Sequence, residues 1–343
     1  RRVLDTRAER ATAGDGPGYL THIDHSEVEW SAEQTAWARD LARITPDLLR
    51  FELGSIETRE LGRYADGQLR VTWNTPNWDG PDRVIELPVS FRRSDGGTWF
   101  YGGRRWNELD AEGLRVMYAE GLEGYAEAAV EFWPAVKAHV DKGFATELDH
   151  PQVIKLYDTM AELQFSIFPA YVEPLGGWNE PGESIKLVAG EYGPDYFRST
   201  IAHEYAHALT FAMGPDDLTE QIEHAHNLPW WVAEGTAELA ALEFSGSWGR
   251  VRRAVRAWHA EGQLISWDRI TDFYTTDPAD YRYVYVMGCH MVGYLSERFG
   301  RQARNAWLAA MMNGSTLDGA CREAFGVGFE QLDAEWRASI DGG

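Results

Sequence analysis

Alternation of apolar and polar residues runs through residues 51–103 and predicts a set of strands. The segments FELGSIETREL, QLRVTWNT, RVIELPVSFRR and TWFYGGRRW each alternate, and the turn-forming stretches ADG, WDGPD and SDGG separate them. Ahead of them, residues 31–50 have helical apolar spacing, with Ser31 as N-cap and an end near Thr45-Pro46. Residues 1–25 are polar and contain glycine, so we expect a loose arm there. The pattern predicts a small α+β domain over residues 1–111, built from a helix and an antiparallel sheet.

A different pattern fills residues 112–343, which we expect to form a second and mostly helical domain. A long helical pattern covers residues 112–141 and contains Pro134, which we expect to kink it. The segments QVIKLYD and SIKLVAGEY predict two strands, with PLGGWNEPGES as a loop between them. From residue 196 the apolar spacing is helical to the end, apart from connections around residues 213–229 and 272–281.

The segment IAHEYAHAL, residues 201–209, carries the first candidate for chemistry. His203 and His207 are four residues apart, so both imidazoles project from one face of the predicted helix. Two neutral imidazoles on one face suit a tetrahedral zinc ion, and Glu204 beside them suits proton transfer from a zinc-bound water. This pattern predicts a zinc site, although the five-residue motif alone also occurs by chance.

A second motif, PWWVAEGTAELAALEF, occupies residues 229–244 and begins another predicted helix. Glu234 lies 27 residues after His207 and would be a third zinc ligand. Glu238 lies one turn later on the same face, where a carboxylate can hydrogen-bond the free nitrogen of a ligating histidine. The alternatives are that Glu234 caps the helix and that Glu238 is one more solvated carboxylate of an acidic chain. Following a His-Glu-x-x-His helix, the zinc-site interpretation is favoured.

Together, HEYAH and WVAEGTAEL resemble the gluzincin metallopeptidases, most closely the peptidase MA-like group. The resemblance continues through YVMGCHMVGYLSERFG and STLDGACREAFGVGFEQLDAEWRASI and covers roughly residues 112–343. It implies a thermolysin-like, mostly helical zincin domain that holds one Zn²⁺ per chain. It also implies that His203, His207 and Glu234 are the ligands and that Glu204 is the general base.

The resemblance also suggests which residue stabilises the tetrahedral oxyanion. Related gluzincins with Tyr-x-x-Gly at this place use that tyrosine as the donor, which makes Tyr285 the candidate in DYRYVYVMG, with Tyr283 next. The alternative is that the tyrosines of this segment only pack at the start of a helix, with their hydroxyls in water.

The strand SIKLVAG could be an edge strand on which a peptide substrate pairs its backbone, as in this superfamily. Ala189 and Gly190 are small enough to let that substrate approach, which makes them candidate substrate-binding residues. Aminopeptidase relatives carry Gly-x-Met-Glu-Asn on this strand, whereas this chain has LVAGEY. An endopeptidase or a processing enzyme of narrow specificity therefore fits better than an aminopeptidase.

Other residues of metal-binding or aromatic type have simpler interpretations. We expect His224 and His226 to be solvated in a loop, although they could bind a second metal, and His290 to be a core histidine with its partners. We expect Trp230 and Trp231 to be packing anchors that hold Glu234 in place.

Composition narrows the classes of partner. The chain has 54 acidic and 32 basic residues, a net charge of −22, so its field would repel nucleic acid and anionic membranes. No apolar run approaches the ~20 residues of a membrane span. The family resemblance implies a peptide or protein substrate, and the oligomeric state stays open.

Cysteine content and the first residues say little about the compartment. Cys289 and Cys321 are far apart, without the spacing of a zinc ribbon, and we expect each to be a small buried hydrophobe. The alternative is a single bridge between them, which leaves the compartment open. The chain begins without the apolar core of a signal peptide. If a leader has been removed, an exported or cell-surface protein is favoured.

Three functions remain open at this point. The first is a zinc metallopeptidase with an N-terminal accessory domain. The second is a zinc-binding pseudo-peptidase whose fold serves partner recognition. The third is an acidic binding module in which the motif is accidental. Metal analysis separates the third from the others, and turnover separates the first two.

Overall fold

A computed structural model of the chain describes residues 1–189 and 193–340. Within these residues there are thirteen α-helices: α1 Arg2–Thr12, α2 Gly16–Leu20, α3 Val28–Asp40, α4 Glu123–Phe144, α5 Met160–Ile167, α6 Pro194–Phe211, α7 Leu218–Asn227, α8 Trp230–Ser245, α9 Trp248–Ala260, α10 Tyr281–Phe299, α11 Arg301–Met312, α12 Leu317–Phe325 and α13 Phe329–Ser339. The nine strands of the same residues are β1 Leu48–Arg59, β2 Tyr64–Asn74, β3 Arg83–Arg93, β4 Trp99–Arg104, β5 Asn107–Ala111, β6 Leu114–Tyr118, β7 Gln152–Tyr157, β8 Gly177–Trp178 and β9 Ile185–Val188.

These elements form two compact units. The first comprises Arg1–Ala128, Gln152–Trp178 and Gly182–Glu191 and contains both sheets. The second comprises Ala129–Pro151, Asn179–Pro181 and Tyr192–Gly343, and in the described residues it is built from helices. The predicted α+β fold, with an antiparallel sheet first and a mostly helical part after it, is confirmed.

The four-stranded sheet of the first unit is antiparallel, in the order β1-β2-β3-β4. Along β3 the side chains of Ile85, Leu87, Val89 and Phe91 are buried, and those between them are more exposed. This period of two is what places one face of a strand on a core. The opposite wall of that core comes from helices, including Trp37 of α3.

The N-terminal residues are not a loose arm, because α1 and α2 pack into this core. Leu4, Arg7 and Ala11 occupy the buried face of α1, and Tyr19 of α2 is also buried. An arginine in the middle of the apolar face weakens the pattern, which explains why the sequence does not predict this helix. The next helix, α3, also begins earlier than Ser31 and ends at Asp40.

A five-stranded mixed sheet completes the first unit, in the order β5-β6-β7-β9-β8. β6 pairs in parallel with β7, starting with Leu114 beside Gln152. The predicted helix from residue 112 is therefore wrong at its start, since β6 comes first and α4 begins at Glu123, with Pro134 inside it. The domain boundary predicted after residue 111 falls in the turn of the β5–β6 hairpin, and it stays a prediction.

The strand β9 is an interior strand, and the prediction that it forms an edge is wrong. It pairs with β7 on one side and with the two-residue strand β8 on the other. β8 lies inside the segment predicted as a loop. All four residues of β9 are buried, as expected for a strand with neighbours on both sides.

In the second unit, α8 packs against both α6 and α10. Trp231 of α8 is fully buried, and its ring centroid lies 4.3 Å from that of Trp267 and 5.6 Å from that of Phe329. Cys289 and Cys321 are buried thiols on helices, as expected. None of the helices that the structure describes is long and apolar enough to cross a membrane.

Candidate metal centre

Two helices bring the candidate ligands together. α6 carries His203 and His207 one turn apart, and α8 presents Glu234 from its second turn. The three side chains are mostly buried, with 12%, 8% and 16% of their surfaces exposed. Their ligand atoms all lie within 4.8 Å of one another, and no other such group of His, Cys, Asp and Glu occurs in the described part of the chain.

The spacing of these atoms fits a small cation. His203 Nε2 lies 3.1 Å from Glu234 Oε2 and 3.2 Å from His207 Nε2, and His207 Nε2 lies 3.6 Å from Glu234 Oε2. Tetrahedral zinc with bonds of about 2.0–2.1 Å requires its ligand atoms to be about 3.3–3.4 Å apart. The measured distances bracket that value, and two nitrogens with one carboxylate oxygen are a donor set that zinc prefers.

Two further side chains orient the ligands. Trp230 donates its indole N–H to Glu234 Oε1 at 3.1 Å, which leaves Oε2 directed at the histidines. Glu238 Oε2 lies 3.4 Å from His203 Nδ1, the place that a tautomer-fixing carboxylate would occupy. His207 Nδ1 is buried and has no hydrogen-bond partner among residues 1–189 and 193–340.

The charges of this site act strongly on one another. Burial opposes charge on His203, but the carboxylates of Glu234 and Glu238 outweigh it and raise the pKa of His203 well above its usual range. For the carboxyl of Glu204, burial raises the pKa, and the two neighbouring imidazoles offset this rise only in part. For Glu234 the imidazoles outweigh burial, and the pKa of that carboxyl is lowered. Perturbed pKa values with specific charge partners, as found here, are typical of functional sites.

Glu204 is fixed by its backbone as well as by its surroundings. Its residue is 4% exposed, and its backbone carbonyl accepts a hydrogen bond of 3.0 Å from Asn179 Nδ2. Asn179 is itself buried, in the short segment of the second unit that precedes α6. Sequence reasoning missed Asn179, because nothing in a loop of polar residues marks one amide as a helix contact.

The tyrosines of α10 separate into two environments. The ring of Tyr285 lies 6.3 Å from that of His203 and 6.2 Å from that of Trp230, measured between centroids. Tyr283 instead packs against Trp258, with the ring centroids 4.7 Å apart and the planes tilted by 49°, and its hydroxyl accepts a hydrogen bond from Arg282. Of the two candidates, Tyr285 is the one beside the metal ligands.

Glycines let α8 and α10 approach closely at the same level. A Cβ added to Gly235 would lie 2.4 Å from the carbonyl carbon of Gly288, and one added to Gly288 would lie 2.4 Å from the backbone oxygen of Trp231. Both glycines are next to functional candidates, since Gly235 follows Glu234 and Gly288 lies one turn after Tyr285. The Glu-Gly and Tyr-x-x-Gly patterns therefore have a shared packing cause.

The two residues predicted to bind substrate are Ala189 and Gly190. Ala189 follows β9 in the first unit, where it is buried and its N–H donates to Tyr157 O at 2.9 Å. Gly190 lies outside the described residues. The substrate-binding role of both residues stays a prediction.

Three further histidines that the sequence singled out belong to no metal-ligand group among the residues that the structure describes. His224 and His226 lie on α7 and not in a loop, and His224 Nδ1 is 2.9 Å from Met312 O. His290 Nδ1 accepts from Trp336 Nε1 at 2.8 Å, and burial lowers the pKa of His290 to about 4. His290 is therefore a neutral core histidine with a partner, as expected.

Comparison with known proteins gives one family. Residues 134–342 match the Peptidase MA superfamily, which is more than half of the chain and includes α6, α8 and α10. No curated protein matches.

Several solved structures are similar. An M1 zinc metallopeptidase from Deinococcus radiodurans is 18% identical with a TM-score of 0.43, over 87% of this chain and 61% of that one. A glutamate-to-alanine mutant of it is 17% identical with a TM-score of 0.42, over 85% and 62%. A two-domain M1 zinc metallopeptidase mutant bound to L-arginine is 18% identical with a TM-score of 0.41, over 87% and 61%. The chain spans about three fifths of the length of these proteins.

The superfamily match falls on the segments whose motifs predicted it. The expectation of a peptidase MA-like gluzincin is confirmed. A zinc cofactor agrees with the two histidines and the glutamate that meet between α6 and α8. The chain belongs to the Peptidase MA superfamily.

Proposed function

We propose that this chain hydrolyses peptide bonds as a zinc-dependent endopeptidase. The observation that carries the proposal is the convergence of His203, His207 and Glu234, whose ligand atoms lie within 4.8 Å of one another. Glu204 follows the first of these ligands directly, on the same helix. Three ligands leave one coordination position for the reaction, which is typical of a catalytic zinc and not of a structural one.

His203, His207 and Glu234 would hold the metal, and Trp230 and Glu238 would orient them. When bound, zinc acts as a Lewis acid toward the substrate carbonyl and makes water acidic enough to react near neutral pH. Glu238 would hold the proton of His203 on Nδ1, so that the lone pair of Nε2 is free. Trp230 would keep Glu234 from rotating away.

Glu204 would move the proton of the reaction. Its carboxylate accepts a proton from the attacking water and delivers it to the leaving amine, the two transfers that peptide hydrolysis requires. The bond from Asn179 to the Glu204 carbonyl holds this turn of α6 in place. Because Glu204 is almost fully buried, its carboxylate has little bulk water with which to exchange that proton.

Tyr285 would donate its hydroxyl to the oxyanion of the tetrahedral intermediate. Its ring lies beside His203, which supports this role over the same role for Tyr283. In enzymes where such an oxyanion donor has been removed, the activation barrier rises by about 3–4 kcal/mol.

Endopeptidase action is favoured by the sequence before α6. The chain reads LVAGEY over residues 187–192, in place of the Gly-x-Met-Glu-Asn with which aminopeptidase relatives bind a free amine. The exclusion of nucleic acid, and an exported location if a leader was removed, stay predictions.

Paired peptides test both levels of the proposal. Each peptide is prepared with a free and with an acetylated N-terminus and is incubated with the zinc-loaded chain, with or without a chelator. We expect internal cuts in both forms, lost on chelation. Loss of single residues from the free form alone would show an aminopeptidase.

Two variants connect the activity to the site. Glu204→Gln should keep zinc and fold but lose hydrolysis, and Glu223→Gln, an exposed glutamate of α7, should behave like the wild type. A fully active Glu204→Gln variant would contradict the mechanism. Stoichiometric zinc without cleavage of any peptide would favour the pseudo-peptidase.

A further inference from the structure

The first unit buries a cation that has no acidic partner. Arg7 of α1 is 2% exposed, and no ion pair joins it to a carboxylate within the described ranges 1–189 and 193–340. Nearby buried cations are paired, since Arg104 contacts Glu162 at 2.5 Å and Lys155 contacts Glu33 at 2.7 Å. A buried charge without a counter-charge is costly, so Arg7 requires an explanation.

The contacts of Arg7 are neutral. Its Nη2 donates to the hydroxyl of Tyr19 and, at 3.2 Å, to Gln34 Oε1. The guanidinium carbon lies 4.2 Å from the ring centroid of Tyr101 and 4.5 Å from that of Tyr19, within the range of cation–π attraction. Burial raises the pKa of Tyr19 to about 12 and also raises that of Tyr101, so neither phenol supplies negative charge.

Arg7 lines a cavity that lies wholly within the first unit. The space open to the centre of a water-sized sphere is about 60 Å³, which is room for about four to six water-sized groups. Most of the lining is apolar. Rings and aliphatic side chains form that part of the wall, among them Tyr19, Trp37, Phe51, Ile85, Leu87, Tyr101, Trp106 and Phe165.

The unpartnered polar atoms of the lining are all donors. Arg7 Nε and Nη1, Trp30 Nε1 and Arg104 Nε are buried and have no hydrogen-bond partner in the part of the chain that is described. In the same part, no lining residue has a buried acceptor without a partner. A site with spare N–H donors and one uncompensated positive charge is complementary to an anion.

We propose that this cavity is a second binding site, for a small carboxylate with an apolar body. The carboxylate would accept from the free N–H groups of Arg7 and Trp30 and neutralise the guanidinium, and the rings would cover its hydrocarbon part. The cavity volume limits the ligand to about six heavy atoms. The proposal does not rest on peptidase activity, because every residue it uses lies in the first unit.

Isobutyrate is the test probe, with isobutyramide as the neutral analogue of the same shape. Binding to the whole zinc-loaded chain is followed at constant ionic strength by the indole N–H signals in ¹H–¹⁵N NMR, with Trp30 assigned through Trp30→Phe. We expect saturable movement of the Trp30 signal with a Kd of about 1 mM or tighter. Because the amide lacks the charge, it should bind about tenfold more weakly or worse.

Variants separate this cavity from carboxylate binding at the metal. Arg7→Met keeps the bulk of the side chain and should abolish the response, and Arg50→Met, an exposed arginine of β1, should not. If Arg7→Met does not fold, Trp30→Phe still tests the cavity, because it removes one donor and should weaken binding several-fold. Binding to this variant is followed by the indole N–H signals of Trp37 and Trp106, which also line the cavity. No saturable binding of isobutyrate, equal binding of the amide, or a response that survives Arg7→Met would overturn the proposal.

Discussion

Replacement of Gly235 by alanine tests whether the contact between α8 and α10 sets the geometry of the metal centre. The new Cβ would lie 2.4 Å from the carbonyl carbon and 2.7 Å from the oxygen of Gly288. Ordinary contacts of this kind are 3.4 Å or longer, so the shortfall is about 1 Å. Both opposing atoms are backbone, and no flexible side chain can rotate away. The two helices must therefore separate.

The stability effect follows from two opposing contributions. Overpacking of a core costs about 1–3 kcal/mol, and a clash with backbone belongs at the upper end of that range. Alanine is a better helix former than glycine by about 1 kcal/mol, which offsets part of this. We expect the free energy of unfolding of Gly235→Ala to fall by about 2 kcal/mol, measured by urea denaturation of the metal-free protein.

Zinc affinity should fall as well. Glu234 precedes the altered residue and Tyr285 lies one turn before Gly288, so separation of the helices moves one or both from the site. Loss of supporting contacts around a metal site typically lowers affinity about 10–100-fold. We expect a loss of at least tenfold in competition with a chromophoric chelator.

Gly143→Ala is the matched control. Gly143 also lies in a helix, but its added Cβ would meet no atom within 4 Å. This variant should be equally or more stable than the wild type, by up to about 1 kcal/mol, with unchanged zinc affinity. If Gly235→Ala behaved in the same way, the close-packing explanation of the Glu-Gly motif would be refuted.

Three further predictions concern single side chains. Trp230→Phe removes the N–H that holds Glu234 and should lower zinc affinity about tenfold in the same chelator assay, with little loss of stability. Tyr285→Phe should lower kcat by about 100-fold in a peptide-cleavage assay and leave zinc content unchanged, while Tyr283→Phe keeps kcat. Burial raises the pKa of Asp40 from 3.8 to about 6, so the folded state binds this proton more tightly than the unfolded state. The resulting contribution to folding stability is fully present below about pH 4 and is lost as the pH rises through 6. Asp40→Asn should therefore be about as stable as the wild type at pH 4 and more stable by about 2–3 kcal/mol at pH 8, by urea denaturation; a gap that does not grow with pH would contradict this.

The sequence correctly predicts those structural features that depend on residues close to one another in the chain. The strict alternation of β3 predicts its buried face, and the four-residue spacing of His203 and His207 predicts their common face. The distance between those residues and Glu234 is not local, and only the resemblance to a known family connected the two motifs.

The failures have non-local causes. β6 is a short strand because it pairs with β7, which follows more than thirty residues later, and its own sequence continues a helical pattern. The sequence does not predict α1 because Arg7, a cation, interrupts its apolar face. The place of that side chain in the lining of a cavity is seen only in the folded chain. β9 is an interior strand because β8 pairs with its outer side. The sequence does not predict this, since β8 has only two residues and is too short to show a pattern.

The central claim is that His203, His207 and Glu234 hold one catalytic zinc ion, and zinc K-edge X-ray absorption tests it most directly. For the chain loaded with one zinc per molecule, we predict nitrogen and oxygen ligands at about 2.0–2.1 Å, with scattering from two imidazoles. Glu234→Ala should lose most of the metal. A sulfur shell at about 2.3 Å, or an unchanged spectrum and zinc content in Glu234→Ala, would contradict the account.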